Sequence, residues 1–330
     1  RVQLCLTVFY FSVSAPCIAV VGAGIGGTAA AYYLREQFGP VVKIDVFESG
    51  TVGGRLATVK LGDYECPNAA VNPAIDRIYQ YQQYGYSFSS VDKLLHAMGG
   101  NSFLTLMNQT LEEAMLGEGF SQVFLNDIVA PVTRVNFGQS GKSDITFSGF
   151  SPPIPTHYPG LYHRLAATLV HGTLNVSYLG TTEPASEFTV SDVLTTDSKG
   201  CAINSLSSLD PVHIPDGYKR PSASHPKVWK AFSSESLTQE QLQQMFLSYD
   251  SVSETVWLAY PSYRPLHRKT PPFVLHNRLY YLNPLEWAAS CMEMSAISAR
   301  NVALLAHHRW HEQAGKIDQE DLHTRLRGEL

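Results

Sequence analysis

The stretch "CIAVVGAGIGGTAAAYYLREQFGPVVKIDVFE", residues 17 to 48, most constrains what this chain can become. Ile18 to Val21 is a short apolar run of the kind that forms a buried parallel strand. Gly22, Gly24 and Gly27 follow it in the spacing G-x-G-x-x-G, with Ala23, Ile25 and Gly26 between them. Gly22 suits a tight turn, Gly24 lets the backbone approach a pyrophosphate, and Gly27 lets the next helix pack closely on the strand. That helix is expected over Thr28 to Phe38. Ala29, Ala30 and Ala31 keep it slim, Tyr33 and Leu34 face inward, and Gly39-Pro40 stops it. Its N-terminal amides and dipole would face phosphate oxygens. A second strand, Val42 to Phe47, ends at Glu48, near the spacing of an acid that accepts hydrogen bonds from a ribose. The order implies a doubly wound α/β domain for a dinucleotide and does not separate NAD from FAD.

"TVGGRLAT", Thr51 to Thr58, follows closely. Gly53 and Gly54 allow the chain to pass near the nucleotide, and the planar fork of Arg55 can donate two hydrogen bonds to phosphate. The plainer alternative is a surface turn with a solvated arginine.

Composition narrows the remaining classes. The 330 residues can bury a large core and suffice for two domains; the net charge is -5, and Lys and Arg are scattered rather than massed, which argues against nucleic acid. Cys5, Cys17, Cys66, Cys201 and Cys291 show no C-x-x-C spacing and the histidines no ligand spacing, so no metal site is expected. Leu4 to Val13, ending in Val13-Ser14-Ala15, reads as the remnant of a secretory signal over residues 1–15, or else as an extra edge strand; it is too short to span a bilayer. Asn108-Gln109-Thr110 and Asn175-Val176-Ser177 are glycosylation sequons.

Beyond Thr58, helices are expected over Val91 to Met98 (capped by Ser90), Phe103 to Leu116 (capped by Ser102) and Gln122 to Asn136, the last containing Pro131. Leu104, Met107, Leu111 and Met115 could line an apolar lid or simply pack a core. Alternating stretches at Leu165–Tyr178, Val190–Thr195, Cys201–Leu206 and Val228–Phe232 suit antiparallel strands, followed by a helix from Thr238 through Phe246. Arg278 to Leu282 reads as a strand and Glu286 to His311 as a long helix.

An acid followed by G-G-R-x-x-T resembles the flavin amine oxidase superfamily. Together with "YSFSSVDKLLHAMGG", "FLNDIVAPVTRVNFGQS" and "LHNRLYYLNPLEWAASCMEMSAISARNVALLAHHRW", the chain is similar to the prenylcysteine oxidase family over most of its length. The resemblance implies FAD and a thioether oxidation: farnesyl- or geranylgeranyl-cysteine, oxygen and water give cysteine, a prenyl aldehyde and hydrogen peroxide. It also implies a lysosomal or secreted setting with lipid-particle or membrane-surface association, and carries Glu286, Ala289, Ser290 and Met292 over as contacts at the flavin end. No catalytic acid or base is assigned by it.

The implied organisation is an FAD-binding doubly wound (Rossmann-like) domain with an α+β substrate domain. Residues 16–65 begin the FAD domain, 78–140 form a helical substrate-side region, 151–275 an antiparallel sheet, and 276–330 return to the FAD domain. Two seams depart from the family. After Tyr64-Glu65 the family carries a glycine pair and a large helical segment, where this chain reads "CPNAAVNPAID". After Gln139-Ser140 it carries strands and an E-G-G segment, where this chain reads "SDITFSGFSPPI". Losing the later strands should bare apolar surface, so a truncated relative that binds nucleotide weakly without catalysis stands as the alternative function. Expressed with a complete signal sequence in mammalian cells, the protein is expected to carry glycans at Asn108, Asn175 or both, read as a mobility shift on glycosidase treatment; an unglycosylated cytosolic product would refute the secretory assignment.

Overall fold

The computed structural model describes residues 16–55, 58–61, 64–67, 76–106, 109–137, 162–196, 201–211, 214, 216–261, 270–288 and 290–319. Strand β1 (Cys17–Val21) pairs in parallel with β2 (Lys43–Phe47), in register from Cys17 opposite Lys43 to Val21 opposite Phe47, and helix α1 (Ile25–Phe38) crosses between them. The expected unit is present, with α1 starting three residues earlier than Thr28. One face of this pair is covered: Ile18, Val20 and Ile44 pack with Leu34 and with Ala303 from the other end of the chain. The other face is bare, with Val21 82% and Phe47 57% exposed. An interior parallel sheet is normally covered on both faces.

A hairpin, β3 (Thr58–Leu61) and β4 (Tyr64–Pro67), precedes the helical region. There α2 (Asp76–Gln83) leads to α3 (Val91–Leu106), which is kinked at Gly100. The helix expected from a Ser102 cap through Leu116 is instead broken: α4 (Leu111–Gly117) starts at Thr110, whose side chain accepts from the Glu113 amide while Glu113 reaches back to the Thr110 amide. This capping box satisfies two orphan donors at once and outcompetes a continuous helix. Beyond it, α5 (Gln122–Phe124) runs through a π-turn at Leu125–Val129 into α6 (Ala130–Phe137). Pro131 cannot donate to the turn below it, and the ladder widens just ahead of it. Of the apolar stripe, Leu104 packs on the core beneath, and Met107 lies outside the described residues.

The larger sheet has the order β6-β7-β8-β5-β9, all antiparallel: β5 (Tyr162–Leu174), β6 (Asp192–Leu194), β7 (Ser205–Ser208), β8 (Lys227–Ser233) and β9 (Phe246–Pro261). Helix α7 (Gln239–Met245) is capped by Thr238 as expected, but Phe246 already belongs to β9. That strand was not anticipated. As an edge strand it buries few side chains, so its sequence carries little apolar alternation. Arg134 on α6 ties the helical region to this sheet by donating to Thr196 O at 2.6 Å and Asn204 Oδ1 at 2.9 Å.

At the C-terminal end the expected strand 278–282 shrinks to a hairpin of β10 (Val274–His276) and β11 (Leu279–Tyr280). The expected long helix is divided: a 3-10 turn at Pro284–Trp287 precedes α8 (Met292–Trp310), which is capped by Cys291. Helix α8 is buried on several sides, against α1 through Ala303 and against α2 and α3 through Ile297, Val302 and Leu305. No helix among the described residues is long and apolar enough to cross a membrane.

Two consequences are measurable. Trp229 is fully buried in the sheet's core, so Trp229→Ala should cost about 3–5 kcal/mol in a urea titration. His308 is buried on α8 beside Ser87, and burial, with His307 and Lys316 adding to it, pushes its pKa from 6.5 down to about 4. The unfolded chain therefore takes up this proton first as pH falls, and stability should drop between about pH 6.5 and about 4. His308→Gln should flatten that slope.

Candidate functional site

The site is built where β1 ends. Gly22 turns the chain with a φ of +98°, and its amide donates to Phe47 O at 2.7 Å. A side chain on Gly27 would begin 1.8 Å from Gly22 O, so only glycine lets α1 start this close to the turn. No side chain caps α1 and no acid lies in its first turn. Its leading amides are therefore open to an anion, as the sequence implies.

The second glycine pair lies on the first loop. Gly53 donates to Ala23 O at 2.9 Å and forms a parallel bridge with Gly24, while a side chain on Gly54 would meet Gly24 Cα at 3.5 Å. The surface-turn alternative for Gly53-Gly54 is thus replaced by a packed contact. Glu48 sits across the same loop, its two oxygens accepting from the amides of Ala23 and Gly50, each at 2.7 Å. Those bonds hold its carboxyl below the usual carboxylate range, and each oxygen keeps a lone pair for a ribose hydroxyl.

Arg55 is not a solvated charge. Its side chain is 47% exposed, and it donates through Nη1 to Ala259 O at 2.8 Å and through Nη2 to Glu286 Oε1 at 2.7 Å. Burial opposes its charge, but Glu286 outweighs that and holds its pKa above the ordinary value. Three of its five donors remain for a ligand. Glu286 is buried and also accepts from Asn283 Nδ2 at 3.0 Å and Ser290 Oγ at 3.3 Å. Glu286, expected at the start of the long helix, lies instead in the 3-10 turn ahead of α8, where it holds Arg55. Ser290 lies between that turn and α8, Met292 opens α8, and Ala289 lies outside the described residues.

A cavity of about 1210 Å³ joins these pieces. Gly22, Gly24, Ile25, Gly26, Gly27, Gly53, Arg55, Ser290 and Met292 all line it; Ala23, Glu48, Gly54 and Glu286 stand outside its wall. The wall also contains residues that motif reading missed: Trp257, Ala259 and Tyr260 from β9, and Tyr281 and Asn283 after β11. Asn283 Oδ1 is buried without a partner among the described residues and points towards Gly26, 3.8 Å from where a side chain there would begin. An orphaned acceptor beside open helix amides fits a ligand carrying both hydroxyls and phosphate, such as a dinucleotide.

Comparison with known proteins agrees. A model for prenylcysteine lyase matches residues 70–142 and 139–319, and one for NAD(P)-binding Rossmann-like domains matches 20–73. Prenylcysteine oxidase 1 of Mus musculus is 34% identical over 473 residues, spanning 95% of this chain and 93% of the relative. Prenylcysteine oxidase 1-like of Homo sapiens is 30% identical, spanning 95% and 94%. The solved structure of cyclohexylamine oxidase from Brevibacterium oxydans superposes with a TM-score of 0.51 at 10% identity, over 90% of this chain and 100% of that one, and shares the flavin amine oxidase-like fold. The alignment to the mouse relative, 473 residues, is longer than the 330 residues here, so relatives carry stretches without a counterpart in this chain. The two pieces of the family match meet at residues 139–142, at the second seam. On these matches, which span the glycine loops and the C-terminal return that build the cavity, the chain belongs to the prenylcysteine oxidase family.

Proposed function

We propose that this chain binds FAD in the double-glycine cradle and belongs to the oxidoreductases that cleave a prenylated thioether. The overall reaction takes farnesyl- or geranylgeranyl-cysteine, oxygen and water to cysteine, a prenyl aldehyde and hydrogen peroxide. The observation that carries the reading is the seating of Gly53-Gly54 on Gly24 with Arg55 held alongside by Glu286.

The α1 amides would hold the pyrophosphate, Glu48 the adenosine ribose, and the spare Arg55 donors a phosphate oxygen. Asn283 Oδ1 would accept from a ribityl hydroxyl, and Ser290 and Met292 would border the flavin. Bound FAD would supply the two-electron oxidation of the carbon attached to sulfur. Trp257, Tyr260 and Tyr281 would present an apolar wall that excludes water and suits an isoprenoid. The setting we favour is the secretory pathway and lysosome. Of the sequons, Asn108 lies outside the described residues, and Asn175 donates through Nδ2 to Gln244 O at 2.9 Å.

One observation favours a second reading, nucleotide binding without turnover: the β1–β2 pair is bare on one face, so a bound flavin would be poorly shielded. FAD should bind more tightly than NAD or NADP in a fluorescence and calorimetric titration; equal or tighter NAD binding would overturn the cofactor assignment. Arg55→Ala should weaken FAD by about 1.5–3 kcal/mol, the range for charge-assisted hydrogen bonds. Peroxide release from farnesylcysteine separates the two readings, and the open sheet leads us to expect little from the chain alone.

A further inference from the structure

The cavity has a second end. Phe38, the last residue of α1, lies 5.1 Å from the His307 ring and 6.1 Å from the His311 ring, so the last turn of α8 sits at the end of α1 remote from the glycine cradle. A helix of 14 residues, at 1.5 Å per residue, puts about 20 Å between the two ends. The far wall is built by Asn277, Arg278 and Leu279 from the β10–β11 hairpin and by Arg309, Trp310 and Glu312 from the end of α8. Its two arginines cross. Arg278 on the hairpin lies over the Trp310 ring of the helix at 5.5 Å, and Arg309 on the helix lies over the Tyr280 ring of the hairpin at 5.9 Å. Each contact steadies a guanidinium while using none of its N–H donors. Neither arginine has a carboxylate partner among the described residues.

Arg278 also holds a φ of +62°, a left-handed conformation that favours glycine. An arginine kept there points to a use for its side chain. Beside the arginines the wall is apolar, through Leu275, Leu279, Leu282 and Ala306. Two guanidiniums against the carboxylate of Glu312 leave one positive charge, and the carbonyl end of α8 is itself partly negative, so the site suits a single carboxylate better than a doubly charged phosphate. We propose that this far end binds an acidic amphiphile, a long-chain carboxylate whose head group takes the free donors of Arg278 and Arg309 and whose tail lies on the leucine wall. At about 1210 Å³ the cavity exceeds the roughly 300–1,000 Å³ usual for a small-molecule site, so water keeps access to the open backbone of β1 beside such a tail. The head group is a helix length away from Ser290 and Met292 at the start of α8. The ligand is therefore neither the dinucleotide nor a thioether in reach of a flavin, and the proposal stands apart from the FAD reading.

The test is a calorimetric titration of the full chain, without FAD, with sodium dodecanoate below its aggregation concentration. Dodecanol serves as the probe without a charge and acetate as the probe without a tail. Dodecanoate should bind at least about tenfold more tightly than dodecanol, and acetate should not register. Arg278→Gly, which suits the backbone at that position, and Arg309→Gln should each remove about tenfold or more of the affinity for dodecanoate while leaving that for dodecanol unchanged. Both positions are exposed, and a urea titration checks that the variants are folded. Dodecanol binding as tightly as dodecanoate would overturn the proposal, as would no binding of dodecanoate or full affinity for it in both folded variants. Displacement of dodecanoate by FAD would overturn it too, since that would put the acid in the cradle. Failure of FAD to bind, with dodecanoate binding intact, would count against the cofactor reading alone.

Discussion

The distance between two glycines governs this structure. Because Gly27 has no side chain, α1 begins against Gly22 O, and that places the slim face of α1, with Ala30 and Leu34 buried, where α8 can reach it. Helix α8 is the shared wall of two clusters: through Ala303 it closes the small core under β1, and through Ile297, Val302 and Leu305 it closes the larger core beneath α2 and α3. A methyl group at residue 27 would displace α1 and with it the registration of both cores. The cradle is therefore a packing constraint as much as a binding feature.

The Arg55–Glu286 pair extends this coupling electrostatically. A buried carboxylate is tolerated only when it is paired and hydrogen-bonded, and Glu286 has Arg55, Asn283 and Ser290 as partners. The arrangement leaves Arg55 pre-oriented, with donors to spare, at the junction of β9 and the glycine loop. A phosphate would add to this network without a large rearrangement of the arginine, which lowers the ordering cost of binding.

What could be read from the chain follows from how local its physics is. The β1–α1–β2 unit and its acid were legible because turn, helix and strand occupy adjacent residues and each glycine has its own steric reason. Thr238 was legible as a cap for the same reason. The break before Leu111 is also written locally, in the spacing of Thr110 and Glu113, which is itself a helix-start signal. By contrast β9 is held by pairing with β5 more than by burial, and its place depends on a strand some eighty positions earlier. The role of Glu286 was beyond motif reading, since its partner is 231 residues away. The bare face of the β1–β2 pair was to be expected from the two seams in the sequence, but the residues of β9 and α8 that line the cavity were not.

The separation of Arg55 from Glu286 also sets an order of events during synthesis. Strand β1, α1 and the glycine loop leave the ribosome well before Ala303 and Glu286, which cover and pair them and come more than two hundred residues later. At about 5–20 residues per second this leaves the nucleotide loop uncovered for on the order of tens of seconds. During that interval the apolar side chains of Ile18, Val20 and Leu34 have no α8 to rest on. These side chains stay uncovered until α8 emerges, and the cradle is complete only then.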